Sequence, residues 1–247
     1  MTQQNDCSIL VDVEGARLTE VTRFSGARAA VIAGEHTLPV LPGLRDLLPG
    51  GGLARGSVVT MPEVGLLLLA LAAAASAAGA WCGLAGVQEA GLLAAAELGL
   101  CPERTLLTPR LGPNWPAVVS SLADGCEVVI VRPPAAAPAQ LRRRMEAALR
   151  RAGGVLLVAG EWPGAHLELR VIKREWSGLG YGHGRLRACR AEVAVSGRAT
   201  AGRATARWLW LPAEDGGVSP ADPPATLGSE LPRDLATHAG LRVVRAG

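Results

Sequence analysis

Between Glu63 and Glu89 the chain carries no charged residue. A run of that length has to be withdrawn from water, into a bilayer or into the interior of a protein. Its composition favours the protein interior. Leucines give way to alanines, Gly65, Gly79, Gly83 and Gly86 interrupt the run, and the apolar period changes near Gly79. The pattern predicts a buried helix over Leu66–Ala78 followed by a strand over Ala80–Val87 that is apolar on both faces. A strand of that kind must sit between two covering layers, which is the situation of parallel β-sheet.

The neighbouring sequence repeats the theme. Short apolar segments at Arg104–Pro109, Glu127–Val131 and Gly154–Ala159 read as strands, and Gly91–Leu100, Trp115–Asp124 and Gln140–Ala152 read as helices. Strands alternating with helices predict an α/β fold whose mainly parallel sheet is flanked by helices. After Gly160 the pattern changes to polar–apolar alternation at Leu167–Trp176, Leu186–Val195 and Ala204–Leu211, an antiparallel extension on one edge. Residues 1–43 read as an N-terminal extension, with an amphipathic piece from Asp12 to Ile32. Residues 44–212 form the core, and 213–247 a flexible Pro/Gly-rich tail.

Hydrophobic residues make up 49% and charged ones 19%, which excludes a wholly disordered chain. A net charge of +3 is too small to announce a nucleic-acid binder. Cys7, Cys82, Cys101, Cys126 and Cys189 are odd in number and widely spaced, which offers no disulfide framework or zinc set and fits a reducing, cytoplasmic compartment. His36, His166, His183 and His238 are too dispersed for a metal site. No serine lies in a nucleophile elbow.

The segment Leu53-Ala54-Arg55-Gly56-Ser57-Val58-Val59, entering a strand and followed by a helix, resembles the start of the RecA recombinase core. In that family a phosphate-binding loop G-x-x-x-x-G-K-[ST] comes next, with a lysine for the phosphates and a hydroxyl for Mg²⁺. The eight positions here read Thr60-Met61-Pro62-Glu63-Val64-Gly65-Leu66-Leu67. Leu66 replaces the lysine, Leu67 replaces the magnesium ligand, and of the two glycines only Gly65 is kept. Arg132 stands after EVVIV where an acid should hold the metal. The acid expected after the second strand is also displaced, since Val87 is at its register and Glu89 falls two residues late. These departures predict a degenerate loop, no catalytic residues, no cofactor, no metal, and loss of ATP hydrolysis. The connections Arg132–Pro138 and Gly160–Ala165 are also too short for the mobile DNA-facing loops of a recombinase.

Three runs carry a closer resemblance: WCGLAGVQEAGLLAAAELGLCPERTLLTP (Trp81–Pro109), VIVRPP (Val129–Pro134) and WSGLGYGHGRLRACRAEV (Trp176–Val193). Together they are similar to the ImuA family, actinobacterial ImuA-prime type, over roughly residues 44–211. The resemblance implies a bacterial cytoplasmic accessory protein of the DNA-damage-inducible mutasome, nucleoid-associated when damage is present. Its implied partners are ImuB, an inactive Y-family polymerase homologue, and an error-prone C-family polymerase. It implies no membrane contact, and DNA contact that is indirect or weak. The alternatives are an SOS-type cell-division inhibitor, an active RecA-like ATPase, and a direct DNA-binding module.

Arg142, Arg143, Arg144, Arg150 and Arg151 form the densest positive cluster. They read as a solvated helix face or as a contact for DNA phosphate or an acidic partner. Gly178–Gly184 reads as a hairpin tip, because no helix follows it. Trp208 and Trp210 share one strand face and either cover the core or anchor a partner. In the tail, Leu231, Leu235, Leu241, Val243 and Val244 belong either to a frayed terminus or to a docking segment that adds to a sheet edge or forms a short helix.

Overall fold

The computed structural model describes residues 36–62, 64–88, 91–179, 184–201, 203–224 and 240–243. Two short strands, β1 (Thr37–Leu38) and β2 (Leu53–Ala54), pair antiparallel around two 3₁₀ turns at Pro42–Leu47 and Pro49–Gly51. The chain then enters β3 (Val58–Met61), α1 (Leu66–Ala77), β4 (Cys82–Ala85), α2 (Leu92–Glu97), β5 (Thr105–Thr108), α3 (Trp115–Gly125), β6 (Val128–Val131), α4 (Ala139–Ala152) and β7 (Val155–Ala159). The long strands β8 (Leu167–Leu179) and β9 (Gly184–Ser196) follow, then β10 (Thr205–Trp210), β11 (Ser219–Pro220) and β12 (Gly240–Val243).

The main sheet runs β11-β10-β9-β8-β3-β7-β6-β4-β5, and β12 pairs with β8 off that path. Neighbours from β8 through β5 are parallel, while β8, β9, β10 and β11 pair antiparallel with one another. This is a mixed α/β protein with a large, mostly parallel sheet flanked by helices, as the sequence pattern predicts.

Alternate residues of each central strand feed two cores. Val59, Met61, Leu84, Ile130 and Leu157 meet α1 and α2 on one face. Val58, Val129, Val131, Leu156 and Val158 meet α3 and α4 on the other. Residues 66–85, which raised the question of a membrane span, are α1 and β4. None of the described helices is long and apolar enough to cross a membrane. Helix α1 is buried along most of its length, which explains why no charge is tolerated there.

Packing at the amino end of β3 depends on Arg55 and Gly56. Gly153 adopts the left-handed conformation that closes α4 (φ 65°), and the Arg55 guanidinium donates to its carbonyl at 2.9 Å. The Gly56 N–H donates to the Gly154 carbonyl at 2.8 Å, and a Cβ on Gly56 would press against Arg150.

The boundaries differ from the sequence expectation at both ends. Leu38 and Val40 are buried in the first core, so packing starts ahead of residue 44. Beyond residue 212, Ser219–Pro220 pairs with β10 and Gly240–Val243 pairs with β8, so two short pieces of the expected tail are strands. Local composition shows neither, because each is paired to a strand remote in sequence. The amphipathic piece Asp12–Ile32 lies outside the described residues.

Strands β8 and β9 outrun the sheet. Strand β3 meets β8 only at Leu167 and Glu168, whereas β9 pairs with β8 out to Leu179 and Gly184. Beyond β3, the vacated edge of β8 at Lys173–Trp176 is taken by β12. At the expected 178–184 hairpin tip, Leu179 and Gly184 pair antiparallel, and residues 180–183 lie outside the described residues. Gly178 (φ 100°) sits at a register shift with the Arg185 carbonyl against its Cα, leaving no room for a side chain.

Candidate functional site at the carboxyl edge of the sheet

In an open α/β sheet, ligands are received beyond the carboxyl ends of the strands, where successive connections leave in opposite directions. Here that place is β3. Its helix α1 leads away to β4, three strands to one side, while the chain leaving β7 crosses to β8 on the other.

The loop from Thr60 to Leu67 lies there. The Thr60 hydroxyl donates to the Gly160 carbonyl, and the Gly160 N–H donates to the Met61 carbonyl at 2.6 Å, which ties the end of β3 to the end of β7. Gly65 caps α1 in an extended conformation with open space where a Cβ would stand. Leu66 is half-buried against the first core, and Leu67 is fully buried within it. The two side chains that open α1 are therefore apolar and turned toward packing.

Arg132 follows β6, two strands from β3, and is exposed. It lines a separate open cleft of about 640 Å³ across the ends of β4, β5 and β6, together with Gly86, Gln88, Arg110, Leu111 and Pro133. Gly86 forms its floor. It has φ 72°, donates to the Thr108 carbonyl at 2.8 Å, and a Cβ there would lie 2.6 Å from the Arg132 carbonyl oxygen. The Arg132 N–H in turn donates to the Ala85 carbonyl at 2.9 Å. Backbone hydrogen bonds thus lace the three strand ends together.

Sequence reasoning singled out Arg132 but passed over Arg110, Gln88 and Gly86. The available signal was that both arginines come within two residues of a buried strand's carboxyl end.

The arginine cluster runs along α4. Arg143, Arg144, Arg150 and Arg151 are exposed, while Arg142 is half-buried and donates to the Ala137 carbonyl at 2.5 Å. Arg150 lies 4.0 Å from Glu146, which also accepts from the Trp162 indole at 3.1 Å. Because α4 starts at the carboxyl edge and ends at the amino edge, the five arginines are spread along it rather than focused on one site.

Trp208 and Trp210 are half-buried on one face of β10, the face opposite buried Leu209. Both rings lie 5.8 Å from the Arg190 guanidinium. Arg190 also pairs with Glu175 at 2.8 Å, and Lys173 with Glu192 at 3.6 Å on the same face. The tryptophans thus flank an internal cation. Trp208 additionally lines a hollow of about 310 Å³ with Asp46, Arg207 and Pro220. Of the tail residues, Leu241 and Val243 belong to β12, and Leu231, Leu235 and Val244 lie outside the described residues.

Two of the described thiols, Cys82 and Cys189, are poor nucleophile candidates. Burial pushes Cys82 up to about 12 and also raises Cys189, which keeps both protonated at neutral pH. His166 is held below its usual value by burial and then by Arg198. Glu127, which sequence reasoning did not single out, is buried and accepts the Trp81 backbone N–H at 2.7 Å, a structural role at the amino end of the sheet. Among the described residues no group of histidine, cysteine and carboxylate side chains could hold a metal.

Comparison with known proteins adds one family. Residues 46–164 match the model of the MT3502 N-terminal domain. The matched span runs through β7 and holds the four described α-helices, the Thr60–Leu67 loop and the Arg110–Arg132 cleft, and stops short of β8. A protein of Mycobacterium tuberculosis (strain ATCC 25618 / H37Rv), "Uncharacterized protein Rv3395c", is 33% identical over 128 residues, which are 50% of this chain and 63% of that protein. The matched part is therefore less than two thirds of the relative's length.

Proposed function

We propose that this chain is a non-catalytic accessory protein of the ImuA type, built on a RecA-like core whose nucleotide loop is degenerate. In this reading it links an inactive Y-family polymerase homologue, ImuB, with an error-prone C-family polymerase, and so supports translesion synthesis in damaged bacterial cells.

The observation that carries the reading is the pair Leu66–Leu67 at the start of α1, packed against the core where a phosphate site needs an ammonium group and a hydroxyl. A triphosphate brought to this loop would find no cation there to offset its charge. Arg132, where the metal-holding acid would be, adds positive charge in place of a Mg²⁺ ligand. The sheet supports the RecA-like part of the proposal: internal β3 leads into α1, and antiparallel strands extend one edge after the parallel ones. The short 132–138 and 160–166 connections support an adaptor over a strand-exchange enzyme. The second is pinned, with Trp162 buried and bonded to Glu146.

The test is affinity capture from damage-treated cells using the full chain and a 1–224 truncation, with mass spectrometry of the proteins retained. Recovery of both polymerase components by the full chain is the expected result. Recovery by the full chain alone places docking in the segment beyond residue 224, and recovery by both places it in the core. Absence of both components from the full-chain sample overturns the proposal.

A further inference from the structure

Helices α3 and α4 cover one face of the sheet, and the positive charge of the chain gathers in their layer. From Arg110 to Arg151 there are seven arginines against three carboxylates, an excess larger than the +3 of the whole chain. Of those carboxylates, Glu127 is buried and Glu146 is engaged by Trp162 and Arg150. Helix α4 displays most of the excess. Met145 and Leu149 are buried and Leu141 packs on the second core, so the helical period turns Gln140, Arg143, Arg144, Ala147, Arg150 and Arg151 away from the sheet. Arg143 and Arg150 lie on one flank of this outward face and Arg144 and Arg151 on the other, with Gln140 and Ala147 between. Within each row the two arginines stand about 10.5 Å apart along the helix axis. All four are exposed. The guanidinium groups of Arg143, Arg144 and Arg151 form no hydrogen bond or ion pair among the described residues, and Arg150 has only Glu146, at 4.0 Å. Like charges along one face repel, and a line of them is matched by an extended polyanion rather than by a single anion.

We infer that the outward face of α4 docks the phosphate backbone of duplex DNA without regard to sequence, its two rows of arginines reaching phosphates on either flank of the helix. The inference goes beyond the adaptor reading and does not draw on it. An acidic protein surface fits less well. Protein interfaces are anchored by large apolar or aromatic side chains near their centre, whereas the strip between the two rows holds Gln140 and Ala147. Single strands bind on aromatic platforms, and the outward face of α4 carries no aromatic ring. The small total charge of the chain does not oppose this reading, because it is the local line of guanidinium groups that displaces counterions from the duplex.

The experiment is fluorescence anisotropy of the full chain with a short labelled DNA duplex over a series of salt concentrations. A single-stranded oligonucleotide of equal length and a polyglutamate peptide are titrated in parallel. Four phosphate contacts predict that the logarithm of the duplex affinity falls against the logarithm of salt with a slope of about −3.6. Arg143→Gln, Arg144→Gln and Arg151→Gln should each make that slope shallower by about 0.9 and weaken duplex binding several-fold at low salt. Arg45→Gln is the control. Arg45 is exposed on the 3₁₀ turn Pro42–Leu47, which packs on the first core across the sheet, so its loss should change neither quantity. All four side chains are exposed, and the substitutions leave both cores untouched. No duplex binding at low salt, a slope that the α4 variants leave unchanged, or an equal loss in Arg45→Gln would each overturn the inference. Tighter binding of the single strand or of polyglutamate than of the duplex would overturn it as well, the latter in favour of an acidic protein partner.

Discussion

Gly86 occupies a point where backbone geometry and site architecture coincide. Its positive φ suits glycine, and a methyl group would meet the Arg132 carbonyl oxygen at 2.6 Å and the Leu111 side chain at 3.0 Å. Gly86→Ala should therefore destabilise the protein by about 1–3 kcal/mol, read as a lower urea midpoint in equilibrium unfolding. Cys82 gives a pH test at the same scale. Burial moves its thiol from the usual 9.0 to about 12. A group whose folded value is raised contributes its stability in full below the unfolded value and loses it as pH climbs through the folded one. The unfolding midpoint of the wild type should accordingly fall as pH rises above 9, and fall less steeply in Cys82→Ala.

At the scale of elements, β12 fills the edge of β8 that β3 leaves unpaired. Removing residues 240–247 would return the Lys173–Trp176 edge to solvent. Amide exchange in peptides covering 173–176 should then quicken, while exchange in β6 and β7 at the sheet centre stays slow. The central strands were legible in the sequence because burial on both faces leaves uninterrupted apolar runs such as VVIV at β6 and VLLVA at β7. The predicted ends of these elements fall within a few residues of the observed ones. The arginine between Trp208 and Trp210 was not legible, since Arg190 reaches them only through the β9–β10 register. The same holds for the cleft. Arg110 and Arg132 lie 22 positions apart in the chain, and the order β6-β4-β5 is what makes their strands near neighbours. The apolar start of α1 was legible residue by residue, because it is a question of which side chain stands at a fixed offset from Gly65.

For the whole molecule, two cores sandwich the main sheet, and Thr60, Gly160 and Trp162 tie down the connections that meet at β3. Saturating Mg²⁺-ATP should leave the melting temperature unchanged. A ligand present at a hundred times its dissociation constant would add about 2.7 kcal/mol, a shift that differential scanning fluorimetry would register and that would restore the ATPase reading. The overhang of β8 and β9 has a mechanical meaning as well. Between its last contact with β3 at Glu168 and its pairing with β9 at Leu179, β8 advances roughly 35 Å at ordinary strand rise. Its inner part is flanked by β12 and, across β9, by β10, and among the described residues only the part beyond Trp176 is a two-stranded ribbon, with Leu186 exposed on it. A load applied at Leu179 or Gly184 would therefore part the β8–β9 pairs one at a time, as a zipper opens, before it reached the rest of the sheet.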